Sequence, residues 1–316
     1  MVRGCFVGSG SEGLQQPEVC AQIIALTGKA PADITICYLG TATYDIVQPK
    51  INQTGKLVSA GCKLTQIICG VDGTEEMRQK VDSADVLIIS GGNTLYAIDY
   101  WNKVGLSAML KGAADKGTVL SGGSAGAICW FDAGHSDSAD SDSYKDAMIR
   151  EAEAAVVAAT CAVKDESTGL EEGQAAKLWE YIRVGCLGFL PGLVCPHADK
   201  VQSNGVLRVT DFDKMLLRHS GERGICIDHF AALVVEGDQY SVLSLPGRPG
   251  SVLESGAFSE TRAGTPGIWV KDVTAEGKIV TRLAEPKGYL SELLKEATSK
   301  LEDPRCDQCR LENPIT

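Results

Sequence analysis

The chain is short of positive charge. It sets only 30 Lys and Arg against 41 Asp and Glu, a formal charge of −11. No basic surplus exists to displace counterions from a nucleic acid or to hold an anionic membrane, so neither is expected as a partner. Nor is there a run of about 18 apolar residues, the length a spanning helix needs. The opening MVRGCFVGSGSEG carries no apolar leader core, and a cytoplasmic location is expected. Histidine is scarce: His135, His197, His219 and His229 are the four in the sequence. Any imidazole chemistry must come from one of them. Of the 12 cysteines, only Cys306 and Cys309 have ligand spacing. No His or Cys follows them, so no metal is expected. Most of the others sit in apolar segments and read as thiols of a reducing compartment.

What is present is ordinary for a globular protein: 316 residues, 44% apolar and 22% charged, enough for a sizeable core. Short apolar runs at 4–7, 34–39, 64–69, 86–89 and 118–120 alternate with segments of helical periodicity at 18–27, 46–60, 75–81, 95–102 and 106–114. That alternation predicts an α/β fold with a mostly parallel, doubly wound sheet and helices on both faces. Later runs at 240–245, 267–273 and 278–283 predict a C-terminal antiparallel β region, followed by an amphipathic helix over 289–301. Residues 1–301 read as a single domain, and 302–316 as a loosely held tail. The Ser- and Asp-rich stretch 132–145 reads as a surface loop, and 147–176, rich in Ala and Glu, as a helical excursion.

The whole arrangement is organised around GTVLSGGSAGAICWF, 117–131. An apolar strand stops at Ser121-Gly122-Gly123, and after Ser124 the small residues Ala125-Gly126-Ala127 open a helix. Serine between glycines at a strand-to-helix corner is the pattern of a nucleophile elbow, since only small neighbours permit so sharp a turn. The same sequence also suits a plain tight turn or a phosphate cradle. Gly91-Gly92-Asn93-Thr94 follows another strand and reads either as a helix-capping turn or as backbone donors beside Ser124. In parallel sheets the carboxyl ends of strands are where ligands bind.

A serine hydroxyl needs a base. His219 lies near a helix end, where a structural role is expected. His135 falls in the polar loop, and His229 interrupts an apolar run as a core or edge histidine would. His197 follows an apolar strand and comes after the serine, the chain order of elbow-serine enzymes. For the group that orients it, Asp228 and His229 are candidates, with Asp132 and Asp137 as alternatives.

Five ordered stretches then resemble one family: SGGNT at 90–94, GGSAGAICWF at 122–131, GHSDS at 134–138, LGFLPGLVCPH at 187–197 and GICIDHFAALVVEGD at 224–238. Together they resemble the peptidase E family of serine peptidases, which includes cyanophycinase and whose fold is similar to class I glutamine amidotransferases. The resemblance implies Ser124 as nucleophile, His197 as base, and Gly91, Gly92 and Ala125 as oxyanion donors. It implies Asn93, Thr94 and Arg208 at the substrate, with no cofactor. The family's acidic third member falls in register on His229, not on an acid. The arginine-rich pattern that holds an N-terminal aspartate in some members is not reproduced, Arg208 being its nearest counterpart. Residues 149–176 read as an insertion, a lid or an oligomer contact, so a homodimer is one expectation. The activity implied is a serine exopeptidase on short peptides, with a cyanophycinase-like isopeptidase or a catalytically impaired binding protein as alternatives. Serine at the elbow argues against a cysteine-nucleophile amidotransferase.

Overall fold

The structure, a computed structural model, describes residues 2–159 and 177–315. The chain lays down five parallel strands first: β1 (Arg3–Val7), β2 (Thr35–Leu39), β3 (Lys63–Ile67), β4 (Val86–Ile89) and β5 (Val119–Gly123). It then builds β6 (Phe131–Ser136), β7 (Ile182–Gly185), β8 (Leu190–Cys195) and β9 (Gly224–Ile227) in a second sheet. Next, β10 (Ala231–Glu236) and β11 (Gln239–Ser244) return to the first sheet, β12 (Ile268–Val273) and β13 (Ile279–Leu283) join the second, and β14 (Lys287–Tyr289) closes the first. The first sheet runs β14-β11-β10-β1-β5-β4-β2-β3 and the second β13-β12-β9-β8-β6-β7.

Within the first sheet, β1, β5, β4, β2 and β3 pair in parallel, and β10, β11 and β14 add antiparallel neighbours. The parallel half matches the expectation from sequence. The expected C-terminal antiparallel region is not one unit, because β10, β11 and β14 extend the first sheet while β12 and β13 extend the second. Strand periodicity assigns the two faces. Cys5, Val7, Ile36, Tyr38 and Val86 point to one side, where they share a core with the helix Pro17–Thr27. Phe6, Cys37, Leu39 and Leu87 point to the other, where their core takes in Trp101 and Leu110 from helices and Val194, Ile225 and Ile227 from the second sheet. One face of the first sheet is thus covered partly by helices and partly by another sheet. Burial on both faces explains why these strands read as continuous apolar runs and not as alternation.

Three local expectations are corrected. Residues 131–136 form β6, not a surface loop, and His135 and Ser136 within it have no exposed surface. The C-terminal helix expected over 289–301 is one turn, Leu290–Leu293. Beyond it the chain runs extended at Leu294 and is held by the Thr298 N–H on the Gly221 carbonyl. The tail is not loose. The helix Arg305–Glu312 buries Cys306 and Cys309 against Leu95, Ile182 and Val184, and Arg310 grips Asp99 with two bonds at 2.8 and 3.2 Å. A helix also runs Lys145–Ala159. The remainder of the expected insertion, 160–176, lies outside the described residues.

Candidate active site

The end of β1 is where the site is assembled. The Val7 carbonyl accepts the N–H of Ser124 at 3.1 Å, and the next carbonyl, Gly8, accepts the N–H of His197 at 3.1 Å. These residues come from different sheets. Ser124 follows β5 directly, and His197 follows β8 by two residues. Both carry positive φ, 55° at Ser124 and 49° at His197, a conformation that costs a non-glycine residue about 1–3 kcal/mol and is held by its surroundings. The elbow needs its glycines for space as well: a Cβ on Gly126 would sit 2.0 Å from the Ile89 carbonyl oxygen.

So held, the two side chains meet. His197 Nε2 lies 2.8 Å from Ser124 Oγ, within hydrogen-bond reach. On the far side of the ring, His197 Nδ1 lies 2.7 Å from His229 Nδ1, and His229 Nε2 lies 2.6 Å from Glu12 Oε2. His229 sits in the turn where the chain leaves β9 for β10 and crosses from the second sheet to the first. Glu12 comes from the short helix Ser11–Leu14 just after β1. Glu12 was not legible as a site residue. It lies 217 positions from His229 in a Ser/Gly-rich segment, and the only hint was a histidine standing where an acid belongs.

Burial holds the His197 imidazolium well below the ordinary histidine range, and the positive charges of His229, Arg208, Lys200 and Arg262 act in the same direction. Burial also lowers His229, against the pull of Glu12. The hydrogen bond from His229 keeps the Glu12 carboxyl below the usual carboxylate range. Above the serine opens a cleft of about 670 Å³ whose lining includes Gly91, Gly92, Ser124, His197, Lys200 and His229. Among the described residues, no hydrogen-bond acceptor takes the N–H of Gly91, Gly92 or Ala125.

Four candidates stand elsewhere. The Asp228 carboxylate faces away from His197: its Oδ2 accepts the Ser251 N–H, the Ser251 hydroxyl and the Gly267 N–H at 2.9, 2.7 and 3.0 Å. Its Oδ1 is buried and has no hydrogen-bond partner among the described residues. Burial and neighbouring Asp199 push this carboxyl up to about 7. With the Asp228 carboxylate turned to Ser251 and Gly267, it is His229, the next residue in the turn, that stands beside the His197 ring. Asn93 is a helix cap, its Oδ1 accepting the Tyr96 N–H at 3.0 Å, and Thr94 is fully buried against the Ser136 hydroxyl. Arg208 is buried and committed to the His135 carbonyl, Gln202 and Asp137, with its guanidinium over the Tyr181 ring. The helix-capping reading thus holds for Asn93, while Gly91 and Gly92 do border the cleft. His135 bonds Asp211 at 3.0 Å beneath the second sheet.

A sequence model of peptidase family S51 matches residues 6–243. The chain belongs to this family. It is a serine peptidase by that membership, and its mixed α/β fold with two sheets agrees. A Trypanosoma brucei brucei protein named G2/mitotic-specific cyclin-1 is 28% identical over 317 residues, covering 93% of this chain and 88% of that one. An uncharacterised Bacillus subtilis (strain 168) peptidase, YgaJ, is 33% identical over 104 residues, 33% of this chain and 45% of its own length. A candidate peptidase E protein from Listeria monocytogenes EGD-e superposes with a TM-score of 0.50 at 15% identity, over 77% of this chain and 98% of that one. A peptidase from an acI-B1 actinobacterium does so with a TM-score of 0.52 at 18% identity, over 77% and 87%. At such identities the two structures speak to the fold. Among the described residues of this S51 peptidase, no group of three His, Cys, Asp or Glu is placed to hold a metal ion, and no helix is long and apolar enough to cross a membrane.

Proposed function

We propose that this S51 peptidase is an exopeptidase that hydrolyses short peptides near a free amino end, through an acyl-enzyme on Ser124. The observation that carries the reading is the 2.8 Å approach of His197 Nε2 to Ser124 Oγ at the floor of an open cleft. His197 takes the Ser124 proton as the oxygen attacks the carbonyl carbon, then delivers it to the departing amine. The developing oxyanion is met by the N–H groups of Gly91 or Gly92 and of Ala125, donors without other work, each typically worth about 3 kcal/mol in such a role. Preference for a free amino end is supported by negative charge in the same cleft, where Asp140 and Glu151 are among the lining residues. With Arg208 buried and no arginine among the described residues that line the cleft, nothing there favours an N-terminal aspartate.

A panel of peptides tests the specificity. Short α-peptides with a free amino group are expected to be cleaved, and N-acetylation to lower kcat/KM by roughly 10-fold or more, the worth of one charged hydrogen bond. Indifference to acetylation would count against an exopeptidase, and turnover of β-aspartyl peptides alone would move the assignment to an isopeptidase.

The base has its own signature in pH. His197 must be neutral to accept a proton, and its lowered pKa keeps it neutral to lower pH than an ordinary histidine. We therefore expect kcat/KM to stay level from neutral pH down through 6.5, the histidine reference, and to fall only well below that. An acidic limb centred at or above 6.5 would assign the limb to another group.

A further inference from the structure

A base that deprotonates serine must present a lone pair at Nε2 and carry its own proton on Nδ1. A carboxylate beside Nδ1 enforces this, because it can only accept. An imidazole nitrogen does not, since it donates in one tautomer and accepts in the other. The contact between His197 Nδ1 and His229 Nδ1, taken alone, therefore permits two proton arrangements, and in one of them His197 carries its proton on Nε2 and cannot act on Ser124.

Glu12 removes the ambiguity. Its carboxylate lies 2.6 Å from His229 Nε2 and accepts a proton there, so neutral His229 has N–H at Nε2 and a lone pair at Nδ1. That lone pair takes the Nδ1–H of His197, and His197 Nε2 is left open toward Ser124. Three proton positions follow from one carboxylate. We propose that Glu12 is a positioning residue of the peptidase, acting through His229 to hold His197 in the tautomer that can take the Ser124 proton, so that a Ser-His-His-Glu chain replaces the usual serine, histidine and acid. The proposal rests on the reading of Ser124 and His197 as nucleophile and base.

In the acylation step the Ser124 Oγ to carbon bond forms, the hydroxyl proton passes to His197 Nε2, and the carbonyl π pair moves onto oxygen. The cationic ring keeps its Nδ1–H on His229, with the Glu12 charge one ring beyond. When the intermediate collapses, the C–N bond breaks and the Nε2 proton leaves with the amine. The other charges that face these rings do different work. Asp199 accepts the backbone N–H of His229 at 2.7 Å and is held by Arg262 at 2.6 Å. Lys200, Arg208 and Arg262 contribute positive charge around His197. Glu12 is the carboxylate on the ring itself.

The test compares Glu12→Gln in two backgrounds, wild type and His229→Asp, with active serine counted by a fluorophosphonate probe. In wild type, Glu12→Gln is expected to lower kcat roughly 10–100-fold, the usual cost of losing such an outer partner, with KM within about twofold by the same reasoning. Glu12→Asp should retain more than Glu12→Gln. An aspartate at 229 places a carboxylate oxygen near the former Nδ1 and accepts from His197 directly. In that background Glu12 becomes a like charge close by, and Glu12→Gln should cost nothing further or raise kcat.

An equal loss in both backgrounds, or an effect confined to KM, would overturn the proposal, the latter marking Glu12 as a site for a substrate amine. Nitrogen-15 histidine spectra of the wild-type protein give a reading that needs no variant: proton on Nε2 of His229 and on Nδ1 of His197, with the reverse pattern fatal. Wild-type protein that neither turns over peptides nor takes the probe at Ser124 defeats the underlying enzyme reading, whereas a labelled, active wild type with unaffected Glu12→Gln defeats the Glu12 proposal alone.

Discussion

Ser124→Ala is expected to lower peptide turnover by at least about 10⁴-fold, the scale seen when a nucleophile that acts as a unit with its base is removed, while folding stability stays within about 0.5 kcal/mol of the parent. Both halves follow from the site. The Ser124 hydroxyl has one described partner, His197 Nε2, so deleting it removes no structural bond. Alanine keeps the Cβ, and the positive φ of 55° costs it about what it costs serine, so the elbow is no more strained than before. What is lost is the atom that forms the acyl bond, and residual rate can come only from the donors and the cleft. Steady-state kinetics on a cleaved α-peptide, beside a thermal melt, decides the matter. Near-normal kcat in a folded variant would remove Ser124 from the mechanism.

Gly8→Ala is expected to destabilise the fold by about 3 kcal/mol or more, at the upper end of overpacking costs because the atom in the way is backbone. A Cβ at Gly8 would stand 1.9 Å from the Asp228 carbonyl oxygen and 3.1 Å from that of Ile227. No rotamer change relieves such a contact, so either β1 or the β9–β10 turn must move. The same residue donates its N–H to the Ala231 carbonyl at 2.9 Å and accepts the His197 N–H. Protein that does fold should therefore lose activity out of proportion to its stability, since the displaced turn carries His229 and the displaced carbonyl positions His197. A denaturant titration with kcat measured on the folded fraction reads both effects. A variant as stable and active as the parent would mean that the two strands are less closely apposed than described.

The site was legible where chemistry and chain geometry coincide. Ser124 announces itself because a sharp corner demands small residues on either side, and His197 because it follows a strand end downstream of that corner. Glu12 could not be read, since nothing in Ser-Gly-Ser-Glu-Gly distinguishes a site carboxylate from a turn residue until the fold delivers His229 to it. Asp228 and Arg208 have the right chemistry and neighbourhood, but each is consumed by other bonds, and sequence does not show which partners a polar group has already taken. For the fold, the parallel strands β1 to β5 were evident from their apolar runs. β6 was missed because His135 and Ser136 are polar yet buried, His135 satisfied by Asp211 and Ser136 by Thr94 and Ser138. The division into two sheets leaves no trace in composition, as β8 and β9 carry the same apolar signature as the strands of the first sheet.

The crossing of the chain at Asp228-His229 has a thermal consequence. Ser124 and Glu12 ride on the first sheet, His197 on the second, and His229 on the passage between them, so the proton path is stitched across a seam instead of lying within one rigid layer. A slip of half an ångström between the layers would leave every strand intact and still part the contacts at 2.7 and 2.8 Å. On heating, catalysis should fail before spectroscopic melting begins, and the gap between those two temperatures would measure how firmly the layers are clamped.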